Sequence, residues 1–167
     1  MAPRLPGPIR RVGFLGNMNY PPNVMSLKKF LADYSARIDS LGLELIVAGY
    51  GSEVVRTWGT NTTVLGSIDD VVEFYSMVDA VVVPIDHGGG IKVKAVEAMV
   101  HGVPVFGTEH VRSGFDTSFR GYVGDIDDLM SGNRITTTAA PPGVVREAFS
   151  EVQFQNGVND LLARSGF

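Results

Sequence analysis

The chain has 167 residues, 44% of them hydrophobic and 19% charged. That is one domain's length, with enough apolar side chain to bury roughly two-thirds of the unfolded surface, and it excludes wholesale disorder. The absence of cysteine excludes a disulfide framework, a thiolate zinc site and a cysteine nucleophile, and the net charge of −4 lacks the basic excess of a nucleic-acid binder.

The first residues form a leader, 1–9. Met1–Pro8 carries Pro, Arg and Gly but no apolar stretch of a signal peptide. Arg10-Arg11, with Arg4 nearby, is the densest basic cluster and reads as a solvated tail. No window approaches the roughly 18 uninterrupted apolar residues of a membrane span. These features predict a cytoplasmic protein with no transmembrane segment, and leave peripheral membrane association open.

Short runs rich in Val, Ile and Leu follow: Val12–Leu15, Leu43–Ala48, Val64–Leu65, Ala80–Ile85 and Pro104–Phe106. Between them lie segments of helical spacing at about 23–40, 52–58, 68–77 and 91–101. Alternating strand and helix predicts an α/β fold, a single Rossmann-like domain with a parallel sheet covered by helices on both faces. The unbroken apolar run at 80–85 suits a central strand. Asn23 is a candidate N-cap, with Pro21-Pro22 excluding an earlier start. Asp69 and Asp70 suit the first turn of the third helix, whose Val71, Phe74, Tyr75 and Val78 form a core-facing stripe. The domain is expected over 10–135, a linker over 136–145 from its Thr, Ala, Pro and Gly, and a terminal helix over 146–167, densest at Arg146–Arg164.

An open parallel sheet binds ligands beyond the carboxyl ends of its strands, where the strand order reverses. For the order 3-2-1-4-5, that crevice lies between strands 1 and 4. Gly16-Asn17-Met18-Asn19 leaves strand 1, and Asp86-His87-Gly88-Gly89-Gly90 leaves strand 4 directly into a helix. The glycines let a ligand approach the backbone, and the N–H groups of Gly90, Ile91 and Lys92 have no intrahelical acceptor, which suits a phosphate. Lys92 and Lys94 add positive charge. A flexible strand–helix connection is the competing reading. Neither a Walker loop nor the dinucleotide fingerprint is present.

The helix after the glycines is apolar around most of its surface. Its polar residues form one row: Gly90, Lys94, Glu97 and His101. Side chains on a helix lean toward its N-terminus, so Glu97 reaches toward the ligand mouth, where its two oxygens suit the hydroxyls of a ribose. A Lys94–Glu97 ion pair is the competing reading. His87 is the histidine placed for chemistry, beside Asp86, with a plain surface histidine as the alternative. No histidine–carboxylate set has metal-ligand spacing, so no metal is expected.

Residues 88–108, a glycine turn followed by Glu97-Ala98-Met99, Gly102-Val103-Pro104-Val105 and Thr108, resemble the donor-binding segment of the group 1 retaining glycosyltransferases of GT-B fold. Gly16–Val24 is similar to the first loop of a bacterial subset of that family, and Val64–Ser67 and Val78–Pro84 are similar to its middle strands. The resemblance spans about 11–125. It implies a C-terminal donor domain that binds a nucleoside-diphosphate sugar, without other cofactor, for retaining transfer of a hexosyl group in polysaccharide or glycoconjugate synthesis. It further implies Glu97 on the ribose, Gly88, Gly89, Gly90, Ile91 and Lys92 around the diphosphate, and Gly16 and Asn17 facing it. Ser67 and Ile68 would read the base. Lys92 would stabilise the departing diphosphate, with His87 a second catalytic candidate. Three departures stand out. Gly89 replaces a frequent acid, Asn17 and Pro22 replace a frequent Arg and Lys, and no acceptor-binding domain is expected within this chain, so a partner chain or further domain is implied. Two other readings stay open: a non-catalytic nucleotide- or partner-binding domain, and a flavodoxin-like regulatory domain with Asp86 in an acidic pocket.

Overall fold

A computed structural model describes residues 8–87, 93–132 and 137–149. Six parallel strands form one sheet: β1 (Arg11–Leu15), β2 (Glu44–Ala48), β3 (Thr62–Gly66), β4 (Ala80–Val83), β5 (Val105–Gly107) and β6 (Val123–Asp125). Their order is β3-β2-β1-β4-β5-β6, the expected one with a sixth strand added. The helices are α1 (Pro21–Ser40), α2 (Val71–Met77), α3 (Val93–Val100), α4 (Glu109–Arg112), α5 (Thr117–Arg120), α6 (Ile126–Ser131) and α7 (Pro142–Ala148), with a 3₁₀ segment over Ser52–Trp58.

The unbroken apolar runs are buried on both faces. Ile46, Ala48, Val81 and Val83 face one core, which includes Phe74, Tyr75, Ala95 and Met99 from α2 and α3. Their alternate neighbours Leu45, Val47, Ala80 and Val82 face the other, with Leu27, Phe30 and Leu31 of α1 and Leu129 and Met130 of α6. Period-two alternation inside a wholly apolar segment is how a strand feeds two cores at once. Gly13 makes room for this. A Cβ there would lie 2.7 Å from the Phe74 ring and 2.9 Å from Val78, so α2 sits close on β1.

Local chemistry sets the helix starts. Asp70 accepts from Val72 N at 2.8 Å and caps α2; Thr108, Asp116 and Asp125 cap α4, α5 and α6 in the same way. α1 begins earlier than expected. Pro21 and Pro22 occupy its first positions, where the missing N–H costs nothing, and Tyr20 precedes it without a side-chain cap. Asn23 therefore lies inside the first turn and is buried, so it is not the N-cap.

Two further expectations change. Arg10-Arg11 belongs to the sheet, not to a solvated tail: Arg11 opens β1, and the backbone N–H groups of Arg10 and Arg11 donate to Asp79 at 3.0 and 2.8 Å. Within the expected linker, Pro142 begins α7, again because proline suits a first helical turn. Ala140 and Val145 are 1% and 0% exposed, so this segment packs into the α2–α3 core. The remainder of the expected terminal helix lies outside the described residues. Among the described residues no helix is long and apolar enough to cross a membrane, and no His, Cys, Asp or Glu cluster could hold a metal.

Candidate functional site

The strand order reverses between β1 and β4, and backbone geometry opens the carboxyl end of β1. Gly16 N donates to Ala48 O at 2.9 Å, and Gly49 N donates to Gly66 O at 2.8 Å. These bonds tie the ends of β1, β2 and β3 into one ledge. Gly49 has φ +117°, and a Cβ on it would lie 2.2 Å from Gly16 O. No other residue fits there. Gly16 is buried, and a Cβ on it would meet Phe14, Lys94 Nζ and the Asn23 amide at 2.9, 3.0 and 3.2 Å.

The loop leaving β1 is held by its asparagines. Asn17 Oδ1 accepts from Asn19 N at 2.8 Å in an Asx turn. Asn23 Nδ2 donates to Asn17 O at 2.8 Å, while Asn23 Oδ1 accepts from Lys94 Nζ at 2.6 Å. Lys94 stands on α3, below one face of the sheet, and Asn23 on α1, against the other. Their bond crosses over the end of β1. Burial lowers the Lys94 pKa to about 8, against the opposing pull of Glu97. The ammonium also lies 5.5 Å from the centre of the Phe14 ring, a favourable cation–π placement.

Glu97 does not close on Lys94 as an ion pair. Its Oε2 accepts from the Tyr75 hydroxyl at 3.1 Å, and the Tyr75 ring stacks on His101 with centroids 4.6 Å apart. Burial first, then the neighbouring carboxylate, raises the Tyr75 pKa, so the phenol stays protonated and donating. Tyr75, expected from its spacing as core, is core in its ring and a polar clamp at its tip. His101 and Gly102 close α3, with Gly102 at φ +69°.

Ser67 and Ile68 follow Gly66 on the same edge of the sheet, Ser67 exposed and Ile68 half-buried in the core. His87 is exposed beyond β4. Gly88, Gly89, Gly90, Ile91 and Lys92 lie outside the described residues. The geometry thus brings Gly16, Asn17, Asn23 and Lys94 together at the end of β1, with the Glu97–Tyr75 pair on the helix that carries Lys94. Sequence reasoning singled out Lys94 and Glu97 as members of a row but missed Asn23, Tyr75 and Gly49 as parts of the site. For Gly49 the signal was present, a Gly-Tyr-Gly directly after a strand.

A second hollow, of about 260 Å³, opens beyond β4, β5 and β6 on the α1 side; Lys29, Asp33, Tyr34, Asp86, Glu109 and Asp127 line it. Asp86 turns into it, 3.9 Å from Lys29 Nζ. Here Asp33 holds the Lys29 pKa up through its hydrogen bond and charge. An acidic pocket around Asp86 was the mark of the flavodoxin-like alternative. The sheet excludes that alternative, because β1 pairs with β2 and β4 and not with β2 and β3 as in a 2-1-3-4-5 order.

Comparison with known proteins agrees with this topology. The crystal structure of TarM superposes with a TM-score of 0.62 at 17% identity, covering 97% of this chain and 36% of TarM. A variant of S. aureus TarM in complex with fondaparinux, α-GlcNAc-glycerol and UDP gives a TM-score of 0.62 at 16% identity, covering 98% of this chain and 36% of that one. This chain therefore spans about a third of the length of these structures, and the likeness is one of fold. No curated protein matches by sequence. The family model for group 1 glycosyl transferases matches residues 9–118, from the start of β1 through the crevice and α3 to α5, and the chain belongs to that family.

Proposed function

We propose that this chain is the donor half of a GT-B glycosyltransferase and binds a nucleoside-diphosphate sugar in the crevice between β1 and β4. The observation that carries this reading is the meeting of Gly16 and the Lys94 ammonium at the end of β1, with a carboxylate at Glu97, held by Tyr75, on the same helix as Lys94. With Oε2 of Glu97 engaged by Tyr75, Oε1 accepts from the ribose hydroxyls. Gly88–Lys92 lines the diphosphate from the β4 side, with Lys92 adding charge to the departing group; Gly16 and Asn17 face it from β1. Ser67 and Ile68 border the base, and His87 borders the sugar. Transfer proceeds with retention. The bond from the sugar to the diphosphate breaks as the new bond to the acceptor oxygen forms on the same face, and the acceptor's hydroxyl proton passes to the departing phosphate oxygen. Stabilising the negative charge that develops on the diphosphate is the main catalytic contribution of this half. The acceptor is held by a second domain or a partner chain. The UDP in the TarM complex puts UDP first among the nucleotides to test.

Calorimetric titration with UDP, GDP and ADP tests the reading. One of them binds saturably, and Glu97→Gln weakens it about tenfold or more, the scale of a lost charge-assisted hydrogen bond. Glu109→Gln leaves binding unchanged, because Glu109 pairs with Arg112 and Arg120 at the surface. Equal effects of the two variants would remove Glu97 from the site. Gly89 and Asn17, which stand where the family often has an acid and a base, favour a second reading in which the chain binds nucleotide without transferring a sugar. Saturable nucleotide binding with no transfer in the presence of an acceptor half would select it.

A further inference from the structure

The Lys94–Asn23 bond joins a charged group to a neutral one. A lysine ammonium that is mostly withdrawn from water normally stands against a carboxylate. Lys94 Nζ instead takes a neutral amide oxygen at 2.6 Å as its hydrogen-bond partner among the described residues. An ammonium has three protons to donate. The Asn23 amide accepts one of them and is itself fixed by donating to Asn17 O at 2.8 Å. Asn23 is 4% exposed, so both ends of the tether are rigid. It holds the charge over the end of β1, where a Cβ on Gly16 would come within 3.0 Å of Nζ.

We propose that Lys94, tethered by Asn23 across the end of β1, is the cation that grips the diphosphate of the ligand, with Asn23 as its positioning residue. This rests on the donor-site reading but assigns a different lysine from Lys92. A neutral tether leaves the full charge of Lys94 available to an anion; a carboxylate in its place would neutralise that charge. The glycine beneath leaves room for Nζ itself, since a Cβ on Gly16 would lie 3.0 Å from it. Two phosphate oxygens replace the lost water on the remaining protons, and the bond is strong because both partners are charged.

The surroundings give this proposal a signature that packing alone does not produce. Among the described residues Glu97, on the same helix, is the charged group that acts on Lys94. The groups facing it from β1, from the loop after β1 and from α1 are Phe14, Gly16 and Asn23, all uncharged. With its pKa lowered to about 8, Lys94 is partly neutral at mildly alkaline pH. A bound diphosphate recharges it, so binding there takes up a proton.

The experiment is titration of the wild-type chain, Lys94→Met, Asn23→Ala and the double variant with UDP, GDP, ADP, UMP and inorganic pyrophosphate. It is run at mildly alkaline pH in two buffers of different ionisation enthalpy, after a thermal melt shows each variant folded. Lys94→Met is expected to weaken diphosphate and pyrophosphate binding about ten- to hundredfold, to weaken UMP less, and to abolish proton uptake. Asn23→Ala is expected to weaken binding in the wild-type background and to have no effect in the Lys94→Met background. A wild-type chain that takes up pyrophosphate through Lys94 but binds no nucleotide would overturn the donor-site reading and leave the anion site standing. Nucleotide binding of equal strength in wild type and Lys94→Met would overturn this inference alone. Failure of the folded wild type to bind any of the five would overturn both.

Discussion

At the residue scale the crevice depends on positions where a side chain is forbidden, and Gly49 is the sharpest. Its φ of +117° and the 2.2 Å approach of Gly16 O are separate obstacles. The first is a conformational cost of roughly 1–2 kcal/mol for any L residue, and the second requires the β1 and β2 ends to part. Gly59 supplies the control, because it has φ +70° but nothing within 4 Å of a Cβ. Gly59→Ala is therefore expected to cost about 1 kcal/mol, and Gly49→Ala several times more, in urea unfolding. Equal costs would show that the ledge yields without strain. Such a requirement was only half legible. Gly-Tyr-Gly after a strand marks a turn, but the approach of a second strand's carbonyl depends on β1 and β2 being neighbours. Asn23 was misread for a related reason. Asn before a helical run is a good cap, yet Pro-Pro ahead of it is an equally good helix start. One of the two partners of its amide, Lys94, lies 71 residues away.

At the element scale the sheet is held at its amino edge by one carboxylate. Asp79 receives the N–H groups of Arg10 and Arg11, and its own N donates to Arg11 O at 2.8 Å. This clips the start of β1 to the start of β4, the pair that forms the crevice at the other end. Burial pushes the Asp79 pKa up, but the two backbone N–H groups and the Arg11 guanidinium outweigh it and hold the carboxyl below the ordinary aspartate value. A carboxylate depressed on folding stabilises the fold above its unfolded pKa, and the contribution is lost as pH falls through the lower, folded value. Asp79→Asn is thus expected to cost about 1 kcal/mol at pH 7. Wild type and variant should converge in acid, below pH 3.8. A difference that persists in acid would mean that the carboxamide misfits sterically and that charge is irrelevant. The strands and the long α1 were legible because each carries an extended apolar signal. Beyond β5 the signal fails for a simple reason. β6 reads Val-Gly-Asp, with a single apolar side chain, and α4, α5 and α6 have four to six residues, too few for a period of 3.6 to repeat. Only their caps, Thr108, Asp116 and Asp125, carried information.

At the scale of the whole molecule, the two cores lie on opposite faces of the sheet, and the placement of residues 137–149 decides how the α2–α3 core is closed. Thr, Ala, Pro and Gly in series read as a linker because none carries much apolar surface and two break helices in their interior. Tertiary contact reverses that reading. Ala140 and Val145 are buried, and the Phe149 ring lies 5.0 and 6.3 Å from those of Phe119 and Phe115. Gly102, which ends α3, lies close beneath α7: a Cβ there would be 3.4 Å from the Pro142 ring. The segment therefore covers the helix that carries Lys94 and Glu97, and fixing α3 fixes the site. Adjacent valines separate a covering role from a linking one. Val145 is 0% exposed and Val144 is 52% exposed. Loss of two buried methyl groups makes Val145→Ala cost about 1.5–3 kcal/mol with its cavity, whereas Val144→Ala stays within about 0.5 kcal/mol. If α7 is a lid on this core, Val145→Ala also lowers the melting temperature by several degrees, while Val144→Ala does not. Identical melts for the two variants would mean that 137–149 detaches in solution and that α3 is held by α2 and the sheet alone.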